Sequence, residues 1–232
     1  MATAGLRLDL HNHTTFSPDG LLTPAALLAE AAARGVACLA VTDHDSIEGA
    51  LECARLAALD PSLPRVIPGI ELLTTSGEVM GLYVTEGIPR GLTVSEAIAR
   101  IHSQGGLACL PHPYDLVRRG VIARGERESV AASVDMIEVL NGRSLAAIFN
   151  DKALALALRH GKPFTAGSDA HRAVEVGRAF VEVAALPERD TLLDLLATGH
   201  IAHVLTPSQY ARNWWFQALS PPIRVYRRVF KP

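Results

Sequence analysis

Six short segments of the chain carry one or two polar side chains of the types that bind a metal ion or a substrate. They are His11 with His13, Asp43 with His44, Glu71, His112, Asn141 with Arg143, and Asp169 with His171. Histidine is the commonest metal ligand among side chains. Imidazoles mixed with carboxylates suit Zn, Mn or Fe, and thiolates would be expected in a zinc finger. The residue types therefore indicate a transition-metal site.

Each of these segments follows a predicted β-strand. Leu6, Leu8 and Leu10 alternate with polar residues, which is the period of a strand. Because residues two apart on a strand point the same way, His11 and His13 can face one point. The other strands of this kind are predicted at 36–41, 66–70, 107–110, 136–140 and 163–166.

The segments between these strands favour helices, so the chain alternates strand and helix. Thr23, Ser46 and Thr93 each precede a helical pattern and are predicted N-caps. Residues 78–84 resemble one arm of a hairpin, and residues 180–183 form a later strand. Repeated strand–helix units bring the carboxyl ends of parallel strands to one face. The pattern therefore predicts an α/β fold with six ligand-rich strand ends in one site.

The order of these segments resembles the motifs of the polymerase and histidinol phosphatase (PHP) family. The matching motifs run from about residue 8 to 180, and they are His11-x-His13, Asp19 in Ser-x-Asp-Gly, Thr42-Asp43-His44-Asp45, Gly69-x-Glu71, Pro111-His112-Pro113 and Gly167-Ser168-Asp169-x-His171. The resemblance implies a distorted seven-stranded (βα) barrel, similar to a TIM barrel. It also implies two or three bound Zn, Mn or Fe ions and hydrolysis of phosphate esters.

The resemblance further implies how the ligands are shared. One ion would be held by His11, His13, Glu71 and Asp169. A second would be held by Asp19, His44 and His171. Glu71 would also bridge to a third position that includes His112.

The third position departs from the family pattern. Members with three metals carry a further histidine near the hairpin, and residues 77–82 contain none. Glu78 is one replacement, but its place beside Gly77 is typical of a turn. The thioether of Met80 suits a site of oxygens and imidazoles poorly. We expect two firmly bound ions, and a third bound weakly or only together with substrate phosphate.

Three residues are candidates for substrate binding, and one for proton transfer. Arg143 follows a strand end, and its guanidinium could clamp a phosphate in a bidentate pair. A surface salt bridge is an equally open interpretation of Arg143. Asn141 lies beside it, and Arg118 either meets a second phosphate or is solvated. Asp45 is the candidate acid or base behind the ligands.

These features predict a metal-dependent phosphoesterase acting through a metal-activated water. Its substrate would be a small phosphorylated metabolite or nucleotide, including a nucleoside bisphosphate or a short oligonucleotide. One alternative is a histidinol-phosphate phosphatase, and another is a non-catalytic, metal-stabilised interaction module. Amide hydrolysis on a related barrel normally needs a lysine at a strand end, where this chain has none.

Composition limits the remaining possibilities. The net charge of −2 predicts no general affinity for nucleic acid or membranes, and no apolar run approaches 18 residues. Three cysteines, an odd number, suggest buried free thiols in a reducing compartment, so we expect a cytoplasmic protein. We predict a barrel domain over residues 1–207 and an aromatic, basic tail over 208–232. The tail would pack on the barrel or on a second subunit of a homo-oligomer.

Overall fold

The computed structural model describes residues 5–115 and 120–203. The strands are β1 (Leu6–Asp9), β2 (Val36–Val41), β3 (Arg65–Leu73), β4 (Glu78–Leu82), β5 (Leu107–Leu110), β6 (Met136–Asn141), β7 (Phe164–Gly167), β8 (Ala179–Val183) and β9 (His200–His203). The helices are α1 (Pro24–Ala33), α2 (Glu48–Leu59), α3 (Val94–Ser103), α4 (Arg127–Ser133), α5 (Ala147–His160) and α6 (Leu192–Thr198). A short 3-10 turn covers Ala173–Glu175.

The described strands form one sheet in the order β7-β6-β5-β4-β3-β2-β1-β8-β9. β4 is antiparallel to both of its neighbours, and β8 and β9 extend the sheet beyond β1. The chain just after β1 and the end of β7 also meet, since Leu10 N–H donates to Ala166 O at 3.1 Å and Asp169 N–H to His11 O at 2.7 Å. These bonds nearly close β1–β7 into a distorted seven-stranded barrel. The predicted fold class is confirmed, with two more strands alongside the barrel.

Alternation along the strands separates an inner core from an outer one. In β2, Cys38 and Ala40 belong to the cluster inside the barrel, while Leu39 and Val41 pack under the helices. Met80 of β4 lies fully buried in the inner cluster. Cys38, Cys53 and Cys109 are all buried free thiols, which confirms that prediction. The inner core fills the barrel below the polar strand ends.

Local signals set most of the helix boundaries. Thr23 caps α1 by accepting from Ala26 N, and Thr93 with Glu96 forms a complete capping box at α3. The predicted cap at Ser46 is wrong. Ile47 holds the N-cap position of α2 without a side-chain cap bond, because the Ser46 hydroxyl donates to the Glu48 side chain instead.

Some predictions lie outside the described residues. They include Arg118, the domain boundary at residues 207 and 208, and the aromatic, basic tail. Within the described ranges, no helix has the length and apolar composition that crossing a bilayer requires.

Candidate metal centre

The structure brings all eight predicted metal ligands to one end of the barrel. Seven of them are buried or nearly so, and Asp19 has a side chain 36% exposed at the rim. They follow β1, β2, β5 and β7 or lie within β3 and the loop after β1. They are His11, His13, Asp19, His44, Glu71, His112, Asp169 and His171.

The first group of ligand atoms comes from residues that follow β1 and β7 and from Glu71 within β3. The Nε2 atoms of His11 and His13 are 3.1 Å apart, and each lies 3.4 Å from Glu71 Oε2. Asp169 Oδ1 is 3.4 Å from the His13 nitrogen and 3.9 Å from the His11 nitrogen. Four buried donor groups therefore face one point.

The second group lies beside the first, nearer to solvent. Asp19 Oδ2 is 3.2 Å from His171 Nε2, and Asp19 Oδ1 is 3.8 Å from His44 Nε2. The ring of His13 is centred 4.2 Å from that of His171 and 4.6 Å from that of His44. Asp19, His44 and His171 are thus brought together, with His13 at the boundary between the two groups.

The third group surrounds both oxygens of the Glu71 carboxylate. Glu71 Oε1 lies 3.0 Å from His112 Nε2, and Glu71 Oε2 lies 3.1 Å from His44 Nδ1. The interpretation of Glu78 as a turn residue is wrong. Glu78 is the first residue of β4, is buried, and places its carboxylate 3.7 Å from His112 Nε2 and 3.9 Å from His44 Nδ1. It points inward because it lies two residues before Met80 on the same strand.

The spacing of these donor atoms fits divalent metal ions. Tetrahedral Zn with bonds of about 2.0–2.1 Å keeps its ligand atoms about 3.3 Å apart. In the first group the two histidine nitrogens lie 3.1 Å apart, and each lies 3.4–3.9 Å from the carboxylate oxygens of Glu71 and Asp169. Buried carboxylates also need compensating positive charge, which ions at these positions would supply.

The pKa values reflect this crowding of buried charges. Burial alone lowers the pKa of His44, but the surrounding carboxylates, Glu71 foremost, raise it to about 9. Burial and the facing imidazoles of His171 and His44 lower the pKa of His13 well below its ordinary value. Burial raises the pKa of Glu71, yet His11 and His44 outweigh it and bring that pKa well below the ordinary range. The cluster is therefore a strongly coupled set of acids and bases.

A buried carboxylate that the sequence reasoning missed lies behind the ligands. Glu138 of β6 has Oε1 3.0 Å from His11 Nδ1, and its Oε2 accepts from His112 N at 2.8 Å. Asn141 Nδ2 donates to Glu138 Oε2 and to Asp169 Oδ2, at 3.0 Å each. The available signal was a single acid within the apolar run Met136–Leu140. Asn141, predicted to bind substrate, is buried and placed to orient Asp169.

Two further acids hold the loops that carry ligands. Asp43 accepts from Thr14 N at 2.6 Å and from Ser17 Oγ at 2.7 Å. Ser17 Oγ in turn lies 3.0 Å from His13 Nδ1 and accepts from His44 N at 3.0 Å. Ser17 was also missed, although it belongs to the Ser-x-Asp-Gly motif. Where β1 meets the end of β7, Asp9 accepts from Ser168 N at 2.8 Å.

The remaining predicted residues occupy different places. Arg143 Nη1 lies 2.6 Å from His171 Nδ1 and 3.6 Å from Asp169 Oδ1, so its guanidinium borders the ligand cluster. Asp45 accepts from Leu73 N at 2.9 Å and pairs with Arg90 at 3.0 Å. The Asp45 contacts brace the loop after β2, and its role in proton transfer stays a prediction.

Comparison with known proteins places these features in a family. The model of the PHP domain matches residues 9–104, and the PHP-associated model matches residues 147–201. An uncharacterised protein of Methanocaldococcus jannaschii, MJ0417, is 35% identical over 78% of this chain and 72% of its own length. The 3',5'-nucleoside bisphosphate phosphatase of Chromobacterium violaceum is 27% identical over 74% of this chain and 89% of that protein.

Solved structures share the fold. An amidohydrolase from Chromobacterium violaceum with bound sulfate and no metal superposes with a TM-score of 0.62 and 23% identity, covering 87% of this chain and 99% of that one. Endonuclease Q, bound to a 27-mer duplex with an abasic lesion, gives 0.59 with 14% identity, covering 85% of this chain and 58% of that one. With the matched models and the MJ0417 relative, the conclusion follows that this chain belongs to the PHP domain family.

Proposed function

We propose that the protein is a metal-dependent phosphoesterase that hydrolyses a small phosphorylated metabolite or nucleotide. The observation that carries the proposal is the convergence of eight imidazole and carboxylate side chains at metal-ligand spacing beside a guanidinium. The phosphatase from Chromobacterium violaceum supports a nucleoside bisphosphate as substrate. A short oligonucleotide is also proposed, because a 5'-3' exoribonuclease of Haemophilus influenzae is 38% identical over 44% of this chain.

The proposed roles follow from where each side chain lies. His11, His13, Glu71 and Asp169 would hold one ion, and Asp19, His44 and His171 a second. When bound, such ions supply Lewis acidity towards a phosphoryl group and lower the pKa of water. Glu138 and Ser17 orient His11 and His13 through their Nδ1 atoms. Zn, Mn and Fe all suit this donor set.

Arg143 is the proposed phosphate clamp. Its guanidinium lies at the edge of the cluster, with the side chain 15% exposed, so it can reach an incoming substrate. We expect Arg143→Ala to raise KM about 10- to 100-fold with little change in kcat, since a charge-assisted hydrogen bond contributes about 1.5–3 kcal/mol. Arg143→Lys should recover part of the loss. An unchanged KM in the Ala variant would remove Arg143 from this role.

The function is tested by hydrolysis catalysed by the full chain loaded with Mn²⁺, measured as phosphate release from phosphomonoesters and as mononucleotide release from oligonucleotides. The substrates are 3',5'-nucleoside bisphosphates, mononucleotides, histidinol phosphate, sugar phosphates and short oligonucleotides. We expect His11→Ala and Asp169→Ala to lose turnover and bound metal together, while His102→Ala, an exposed histidine outside the cluster, keeps both.

Each alternative has its own outcome in this test. Preference for histidinol phosphate would favour that phosphatase. Bound metal without hydrolysis of any substrate, with unfolding on chelation, would favour a non-catalytic module. Full turnover in either ligand variant would overturn the proposed site.

A further inference from the structure

The side chain of Glu78 enters the metal centre from a strand that is not among the predicted ligand-bearing ones. β4 is buried along its whole length, and Glu78 shares its inward face with Met80. Its Oε2 lies 3.7 Å from His112 Nε2, and its Oε1 lies 3.9 Å from His44 Nδ1. Glu71 lies on the neighbouring strand, and Glu71, Glu78 and His44 offer ligand atoms that all lie within 4.8 Å of one another.

The surrounding chain keeps this carboxylate in place. Glu78 N–H donates to Gly120 O at 2.6 Å, and the bare Cα of Gly120 packs against the carboxylate. A Cβ at Gly120 would lie only 1.8 Å from Glu78 Oε2. Any side chain there would occupy the space that the carboxylate needs. The position is therefore open to a carboxylate only because residue 120 is glycine.

We propose that Glu78 is a ligand of a third divalent cation, together with Glu71 and His112. This inference rests on the metal-dependent function proposed above and adds a residue to its site. Two carboxylates and one imidazole make this group richer in oxygen than the first, which has two imidazoles and two carboxylates. Oxygen-rich sites suit Mn²⁺, so Mn²⁺ is the ion used as a probe.

The test counts Mn²⁺ per chain by elemental analysis after equilibrium dialysis of the full protein. We expect three ions in the wild type and two in Glu78→Gln, which keeps the size of the side chain and removes its charge. Glu78→His should restore the third ion because imidazole is itself a ligand. Glu86→Gln, an exposed acid close to the end of β4, is the matched control and should keep three.

A second variant tests the proposal without changing any ligand. Gly120→Ala should also bind two ions, because the new methyl group displaces the Glu78 carboxylate, while Gly125→Ala, where a Cβ meets nothing, should bind three. Circular dichroism establishes that each variant is folded. Two ions in the wild type, or three in Glu78→Gln, would overturn the role of Glu78. Neither result touches the proposed function, which is tested separately by the turnover of the wild type and of His11→Ala and Asp169→Ala.

Discussion

Glu138 lies behind the first group of ligands and determines which nitrogen of His11 faces that group. Its carboxylate approaches His11 Nδ1 and accepts hydrogen bonds from His112 N–H and Asn141 Nδ2. With Nδ1 engaged in this way, Nε2 is left to face Glu71 and Asp169. Carboxylates that orient metal-binding histidines in this manner raise metal affinity.

We expect Glu138→Gln to weaken metal binding about 10- to 100-fold. The amide offers an NH₂ group where the carboxylate accepts only, so at least one donor among His11, His112 and Asn141 loses its partner. Metal titration against a competing chelator measures the change, and Glu52→Gln, a partly exposed acid of α2 outside the ligand cluster, is the control. Equal affinities in the two variants would contradict the orienting role.

The raised pKa of His44 predicts proton release on metal binding. With a pKa of about 9, His44 is protonated at pH 7, and a metal ligand must be neutral. Apparent metal affinity should therefore rise as pH increases from 7 towards 9 and fall at lower pH. His13, whose pKa is lowered, should release none.

Calorimetry in two buffers of different ionisation enthalpy measures this proton release. A binding enthalpy at pH 7 that is independent of the buffer would contradict the prediction. The sign reverses for stability of the metal-free chain. Protonated His44 stabilises it fully below pH 6.5, and this contribution is lost as pH rises through 9.

At the scale of elements, the loop between β1 and α1 depends on a residue from the end of β2. Asp43 accepts three hydrogen bonds from this loop, two from Thr14 and one from Ser17. The same loop carries Asp19 to the second ligand group. The position of Asp19 is therefore set by a strand end about 24 residues further along the chain.

We expect Asp43→Asn to weaken the second ion more than the first. The amide replaces an acceptor with a donor facing Thr14 or Ser17, which costs about 1–3 kcal/mol of unfolding free energy. Thermal unfolding and metal titration in parallel measure the two effects, with Asp151→Asn on the exposed face of α5 as control. Equal weakening of both ions would contradict the prediction that Asp43 acts mainly on the second ligand group.

For the whole molecule, closure of the barrel brings the two ends of the ligand set together. β1 and β7 approach so closely that a Cβ on Gly167 would lie 2.2 Å from His11 Cβ and 2.7 Å from His11 N. In the first group, His11 and His13 follow β1 and Asp169 follows β7, so this group forms only when the barrel is closed.

We expect Gly167→Ala to lower Tm by roughly 2–12 °C, because overpacking costs about 1–3 kcal/mol. It should also reduce binding of the first ion, although every ligand is retained. Calorimetry with and without metal measures both effects, and Gly87→Ala, where a Cβ meets nothing, should change neither. Wild-type behaviour of Gly167→Ala would contradict the importance of this close approach.

The sequence determined the order of the elements and the identity of most of the site. Strand periods and caps are local properties, so β2 and β5 were predicted with their observed bounds and the capping box at Thr93 is present. Spaced motifs also specified all eight side chains that meet at the strand ends. Ser46 shows the limit of such signals, because its hydroxyl bonds to the Glu48 side chain and not to a backbone N–H of α2. The sequence pattern does not distinguish these two partners.

Only the tertiary structure decided which atoms face each other. Glu78 appeared to belong to a turn, and Glu138 to an apolar strand, because the direction of each side chain depends on strand register and on barrel closure. His112 and Asp169 also take positive φ values of 27° and 51°, which surrounding contacts impose on them. Contacts between residues far apart in the sequence therefore bring these polar side chains into one site. A local sequence pattern does not specify those contacts.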